Sequence, residues 1–169
     1  LIKHYKALGY NYANHVFDVT GTLSPDVEKG VITATFETAD DAPIHYTLDG
    51  TEPTVSSPLY TGPLAINHTA VVKAAAFRED GHSRVFTDSV TFNKATTAKV
   101  TLVNEPHSRY KGMGGLSLVD GRFGPDAFNT GEWLGFVGAP LVAVIDMGKE
   151  KEFSSLSIRN LVDTPNWIF

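Results

Sequence analysis

The chain contains no cysteine. That excludes disulfides, thiolate zinc sites and thiol nucleophiles together. It also has no apolar run near the roughly 20 residues of a membrane-spanning helix. Positive charge is in short supply: 14 Lys and Arg stand against 19 Asp and Glu, for a net charge of −5 and a pI near 5.6. Nucleic acid asks for a clustered basic surface, so it is not an expected partner. The six histidines (His4, His15, His45, His68, His82 and His107) stand singly, with no pair at i, i+3 or i, i+4, and indicate neither a zinc helix nor a histidine-based triad. No Gly-Lys-Ser/Thr occurs for a phosphate loop. The Gly112 to Gly115 run lacks the third glycine of a dinucleotide fingerprint, and Ser117 lacks the closing glycine of a nucleophile elbow. With 42% hydrophobic and 20% charged residues in 169, what remains is ordinary globular material, enough for one large or two small domains.

The most informative stretch is Ile44 to Leu64, IHYTLDGTEPTVSSPLYTGPL. Ile44, Tyr46 and Leu48 alternate with His45 and Thr47, as in a half-buried strand. Asp49-Gly50 predicts a tight hairpin turn at its end, because Gly takes positive φ freely and Asp tolerates it. Pro53, Pro58 and Pro63 lack the N–H of a central strand, so the chain between them must run as a corner or an edge, with Leu59 and Tyr60 as its expected core anchors.

Short strands recur around this stretch. His15 to Leu23 reads as one, closed by Ser24-Pro25-Asp26. Val31 to Glu37 is the next, with Ile32, Ala34 and Phe36 inward. After the central stretch come Val71 to Phe77, a turn at Asp80-Gly81, and Arg84 to Phe92 with Phe86, Val90 and Phe92 on one face. Turns about every ten residues predict an antiparallel sandwich. Asp40-Asp41 and Glu79-Asp80 fall in predicted turns, where carboxylates accept nearby backbone N–H groups. Asn93 to Lys99 is polar and aperiodic and reads as a linker. Beyond it the chain is glycine-rich, then offers two strand patterns, Leu141 to Met147 and Phe153 to Leu161, either side of the charged turn Gly148 to Glu152. At the other end Leu1, Tyr5 and Leu8 recur at helical spacing before Gly9, the pattern of a short helix remnant. Neither Leu1 nor the apolar Asn166-Trp167-Ile168-Phe169 reads as a natural terminus, so the sequence is expected to be a piece of a longer protein.

The Ile44 to Leu64 phrase, continued by the strand Ala70 to Phe77, resembles the chitobiase/hexosaminidase C-terminal domain, an immunoglobulin-like β-sandwich carried behind the catalytic domain of secreted sugar hydrolases. The residues that carry this resemblance are Tyr46, Asp49, Gly50, Pro53, Pro58, Tyr60, Gly62 and Pro63. Leu8 to Asp18 resembles the exit from the catalytic barrel of retaining β-N-acetylhexosaminidases. Ser117 to Gly121, Glu132-Trp133 and Val144 to Gly148 resemble the opening half of a coagulation factor 5/8 type C (discoidin-like) jelly roll, whose second half is absent. The implied division is residues 1–14 as the exit segment of an upstream catalytic domain, 15–94 as the immunoglobulin-like sandwich, and 100–169 as the partial discoidin-like unit.

The resemblance implies an all-β, non-catalytic accessory segment of a β-N-acetylhexosaminidase, periplasmic, cell-surface or secreted, that buttresses the catalytic barrel and positions it toward glycan. Hexosaminidases of this kind use an adjacent Asp-Glu pair and the substrate's own N-acetyl oxygen. No Asp-Glu dipeptide occurs, and no catalytic residue is assigned. A sugar-binding module acting through the second unit, and an adhesion module without sugar function, are the alternatives. Trp133 and Trp167 are the candidates for stacking on a sugar ring, although the resemblance places Trp133 in the sandwich core. Discoidin-like domains often hold a structural calcium, which makes Asp120, Asp126, Asn129 and Thr130, oxygen ligands in a glycine-containing loop, its candidate ligands here; no other cofactor is expected. A half jelly roll leaves strands without partners. Val142, Val144, Ile145, Leu156, Ile158 and Trp167 are therefore expected to bury against the first domain or against a second copy in a dimer.

Overall fold

A computed structural model describes Leu8 and residues 14–168. Apart from Leu8, the helix expected over Leu1 to Leu8 and residues 9–13 of the expected barrel exit lie outside the described residues. The architecture is all-β with antiparallel sheets and no long helix, an immunoglobulin-like sandwich. No described helix is long and apolar enough to cross a membrane. The chain forms two compact units. One gathers Leu1–Thr22, Ala34–Leu64 and Ala70–Ser89; the other gathers Leu23–Thr33, Ala65–Thr69 and Val90–Phe169.

Strand β1 is Thr20–Asp26 and β2 is Val31–Glu37. In β2 alternate residues are buried, with Ile32, Ala34 and Phe36 at 0–4% exposure, as the sequence pattern requires. The strand expected from His15 begins later, because Asn14–Phe17 winds into a 3-10 turn. It also ends later, at Asp26 rather than Leu23, so the strand runs through the Ser24-Pro25-Asp26 sequence expected to close it. In the order β1-β2-β4, where β4 is Leu64–Ile66, β1 lies at the sheet edge, where proline costs no ladder bond. The reversal follows: Asp26 Oδ1 accepts the Lys29 N–H at 3.0 Å and Gly30 takes φ 67°.

In the other sheet β3 (Ile44–Thr47) pairs antiparallel with β5 (Ala70–Arg78), Ile44 opposite Ala76 and Thr47 opposite Lys73. Strands β6 (Gly81–His82) and β7 (Phe86–Val90) also pair with β5. Ala74, Ala75 and Ala76 have no exposure, and their small side chains set how closely other atoms approach β5. Strand β7 is shorter than the Arg84 to Phe92 expectation, because the Phe92 N–H leaves the ladder for Thr69 Oγ1 at 3.0 Å.

Asp49-Gly50 does not make the two-residue hairpin that the dipeptide predicts. Gly50 has φ 82°, and its N–H donates to Val71 O at 3.0 Å, while the Val71 N–H donates to Leu48 O at 3.2 Å. Asp49 Oδ1 instead accepts the Thr51 N–H (3.0 Å) and hydroxyl (2.6 Å). The chain then reverses through a wide loop and returns beside β3. There the Tyr46 N–H donates to Pro58 O at 3.0 Å and the Tyr60 N–H to Ile44 O at 2.8 Å. Proline at 58 is tolerated because this outer strand needs only its carbonyl. Tyr60 turns inward onto Phe36, ring centroids 5.1 Å apart, and Pro53 is buried. Leu59 is not an anchor: it bridges His45 on the outward face and is 51% exposed.

In the second unit β8 (Lys99–Leu102) pairs antiparallel with β9 (Ala143–Asp146), Val100 opposite Ile145. The expected linker is not a solvated tether. Thr96 and Thr97 are buried, the Thr97 N–H donates to Val119 O at 2.9 Å, and Lys99 already belongs to β8. The strand expected over Phe153 to Leu161 does not form, because an alternating pattern makes a strand only where a ladder partner exists and β9 is paired with β8. Val142, Val144, Leu156, Ile158 and Trp167 are exposed in the single chain (Trp167 by 84%), so burial against the first domain is corrected. Ile145 alone is half-buried, because it shares the inward face with Val100.

Candidate functional site

The densest polar arrangement of the first unit surrounds the Asn14–Phe17 turn. Arg78, at the end of β5, points its guanidinium across to Asp40, just past β2. Nε donates to Asp40 Oδ2 and Nη2 to Asp40 Oδ1, both at 2.7 Å, a two-pronged pair of the kind a planar guanidinium makes best. Nη2 also donates to Phe17 O at 3.0 Å, and the guanidinium carbon lies 5.7 Å from the centre of the Phe17 ring. The Thr38 hydroxyl lies between, 3.2 Å from both Phe17 O and Asp40 Oδ1. A second pair sits beside this one. Asp18 accepts the Arg84 N–H at 3.0 Å through Oδ1 and Arg84 Nε at 2.7 Å through Oδ2.

The electrostatics follow from these bonds. Arg78's hydrogen bonds outweigh the cost of burial and hold the Asp40 carboxyl at about 2. Burial alone would push Asp18 up, but the bonds from Arg84 overcome it and its carboxyl falls below the ordinary value. The charges of Asp40, Arg78, Asp18 and Arg84 are spent on one another. What it can do is fix the direction of the chain at residues 14–18. Nothing local in the sequence pointed to it: Asp40 was expected to serve its own turn, and its main partner lies 38 residues further on.

The candidate calcium ligands are directed to separate protein partners. Asp120 is 8% exposed, and its Oδ1 accepts the Arg122 N–H at 2.9 Å. The Asp126 carboxylate is 95% exposed, with Arg159 Nη2 3.5 Å away. The Thr130 hydroxyl donates to Ala127 O at 3.3 Å, and Asn129 is exposed. Among the described residues no group of three or more His, Cys, Asp or Glu could hold a metal ion.

Burial pushes the Asp120 carboxyl above its ordinary value. The folded state therefore holds this proton more tightly than the unfolded state. Its contribution to stability is present below the unfolded carboxylate pKa and is lost as pH rises through the folded one. Asp120→Asn keeps the acceptor for Arg122 without the buried charge. It should raise Tm at pH 7 by roughly 2–4 °C, the scale of about 1 kcal/mol in a chain of this size, and the gain should shrink toward pH 4 in a thermal-melt series.

The two tryptophans differ. Trp133 is half-buried, donates Nε1–H to Pro125 O at 2.8 Å, and lies so close to Gly124 that a Cβ there would meet its ring at 2.6 Å. Trp167 projects into solvent from a left-handed backbone with φ 59°. Gly62, with φ 157°, and the exposed Pro63 lead the chain into β4.

Residues 26–87 match the family model of the chitobiase/beta-hexosaminidase C-terminal domain. No curated protein matches the chain. The matched stretch starts at the last residue of β1, ends inside β7, and holds both Asp40 and Arg78. It points to an accessory domain of a glycosidase.

Proposed function

We propose that this chain is a non-catalytic accessory segment of a secreted β-N-acetylhexosaminidase, in which the sandwich sets the direction of the segment that joins it to an upstream catalytic barrel. The discoidin-like unit follows it. The observation that carries this reading is the Arg78 fork, which ties the backbone carbonyl of Phe17 to Asp40 and so fixes the lead-in to β1. A module for a charged ligand would leave these charged groups where the ligand could reach them; here they are spent within the protein. The buttressing role needs only a stiff, well-folded body at a defined angle.

The test is turnover. The purified chain incubated with a chromogenic N-acetylglucosaminide should release no chromophore above the protein-free blank at any pH from 4 to 8. Hydrolysis that follows the protein through purification would overturn the reading.

A further inference from the structure

On the outward face of the β3–β5 sheet, side chains from four adjacent strands line up. Leu59 bridges His45, Phe77 on β5 is paired with His82 on β6, and the His45 ring meets the Phe77 ring edge-on at 5.3 Å. The Phe77 and His82 centroids are 5.5 Å apart. Ala75, opposite His45 and fully buried, is the floor beneath them. At about 4.8 Å per strand the row extends roughly 14 Å.

Both imidazoles are fixed. His45 Nδ1 lies 2.7 Å from Ser57 O and His82 Nδ1 lies 2.7 Å from Ser83 O. A carbonyl cannot donate, so in each ring Nδ1 carries the proton, and in the neutral ring Nε2 is left as an acceptor. Rings held this way lose little freedom when something lies on them. Charge selects further. The two cations of β5, Lys73 and Arg78, are bonded to Glu52 and Asp40, and the neighbouring Glu79-Asp80 turn is acidic, which disfavours an anion.

We propose that the row Leu59, His45, Phe77 and His82 is a binding strip for an uncharged oligosaccharide. The C–H face of a pyranose ring lies on Phe77, whose electron-rich face attracts polarised C–H groups. Hydroxyl groups to either side donate to Nε2 of His45 and of His82. The strip goes beyond the accessory role, which requires no ligand; it rests on that reading only for the choice of probe.

The test is a ¹H–¹⁵N NMR titration of the whole chain with three tetrasaccharides: β-1,4-linked N-acetylglucosamine, β-1,4-linked glucose, and a uronate. At least one neutral sugar should shift Leu59, His45, Phe77 and His82 and saturate, and the uronate should bind more weakly. His82→Ala, at an exposed site, should weaken binding roughly three- to tenfold, the scale of one neutral hydrogen bond. Phe77→Ala should abolish it; if Phe77→Ala loses its native dispersion, His82→Ala carries the test alone. The strip is overturned if neither neutral sugar shifts these residues, if the shifts lie elsewhere, if His82→Ala binds as well as wild type, or if the same residues respond only to protein concentration, as in self-association. A null titration leaves the turnover test of the accessory reading untouched. Turnover by the chain would sink that reading without bearing on the strip.

Discussion

Arg78→Ala should destabilise the chain by roughly 2–3 kcal/mol, measured as a fall in the urea midpoint at constant slope. The figure lies between the 0–1 kcal/mol of an exposed ion pair and the 3–5 kcal/mol of breaking a buried one. The intermediate value fits the geometry, since the Arg78 and Asp40 side chains are 19% and 28% exposed. Truncation also strips a donor from Phe17 O and leaves Asp40 without its main partner. Arg78→Lys should recover less than half of the loss, because an ammonium cannot span both carboxylate oxygens in one plane. The effect has a pH signature. Asp40 is held at about 2 against an ordinary 3.8, so the pair stabilises the fold fully above the ordinary value and is lost as pH falls through about 2. After discounting for solvent screening this amounts to about 1 kcal/mol. The gap between wild type and Arg78→Ala should therefore narrow by about 1 kcal/mol as pH falls from 5 to 2.

The second large effect belongs to Gly121. Its φ is 71°, and a Cβ there would lie 2.9 Å from Thr91 O and 3.1 Å from Val90 Cγ1. The backbone cannot move aside cheaply, because Gly121 O accepts the Thr91 N–H at 2.7 Å. Valine at this position adds a left-handed penalty of about 1–2 kcal/mol to overpacking of about 1–3 kcal/mol. Gly121→Val should cost about 2–5 kcal/mol by urea denaturation, with the loss read through the Trp133 environment. Gly138 is the control: φ is 73°, but nothing lies within 4 Å of its would-be Cβ. Gly138→Ala should cost only about 1 kcal/mol. Equal costs at the two sites would mean that the contact with Thr91 and Val90 contributes nothing.

These two residues show where sequence reading stops. Strand β2 was legible because its alternation is local: each of Ile32, Ala34 and Phe36 declares its face by position. The edge character of Pro58 was legible too, since a missing N–H is a property of the residue itself. Asp40 was not. A turn position accounted for it fully, and its partner's distance along the chain carries no local mark. Gly121 was visible only as one of many glycines and as the end of the Ser117 to Gly121 phrase, because the atoms that forbid a side chain come from 30 residues earlier. Phe153 to Leu161 failed in the opposite sense. It has a strand's apolar spacing, but pairing is a relation between two segments, and the described partner of β9 is β8. The same limit hid the outward row of Leu59, His45, Phe77 and His82, whose members are scattered in sequence and are brought together by register alone.

The central claim is that Arg78 fixes the direction of the chain where it leads into β1. Native-state hydrogen exchange at residues 14–18 tests it most directly, because it reads local opening apart from global unfolding. The account predicts a protected Asp18 amide, which bonds His15 O at 3.2 Å in wild type. In Arg78→Ala that amide should exchange at least tenfold faster, over and above any change common to β2 and β5. Exchange at Asp18 already unprotected in wild type, or accelerated no more than in the core strands, would contradict it.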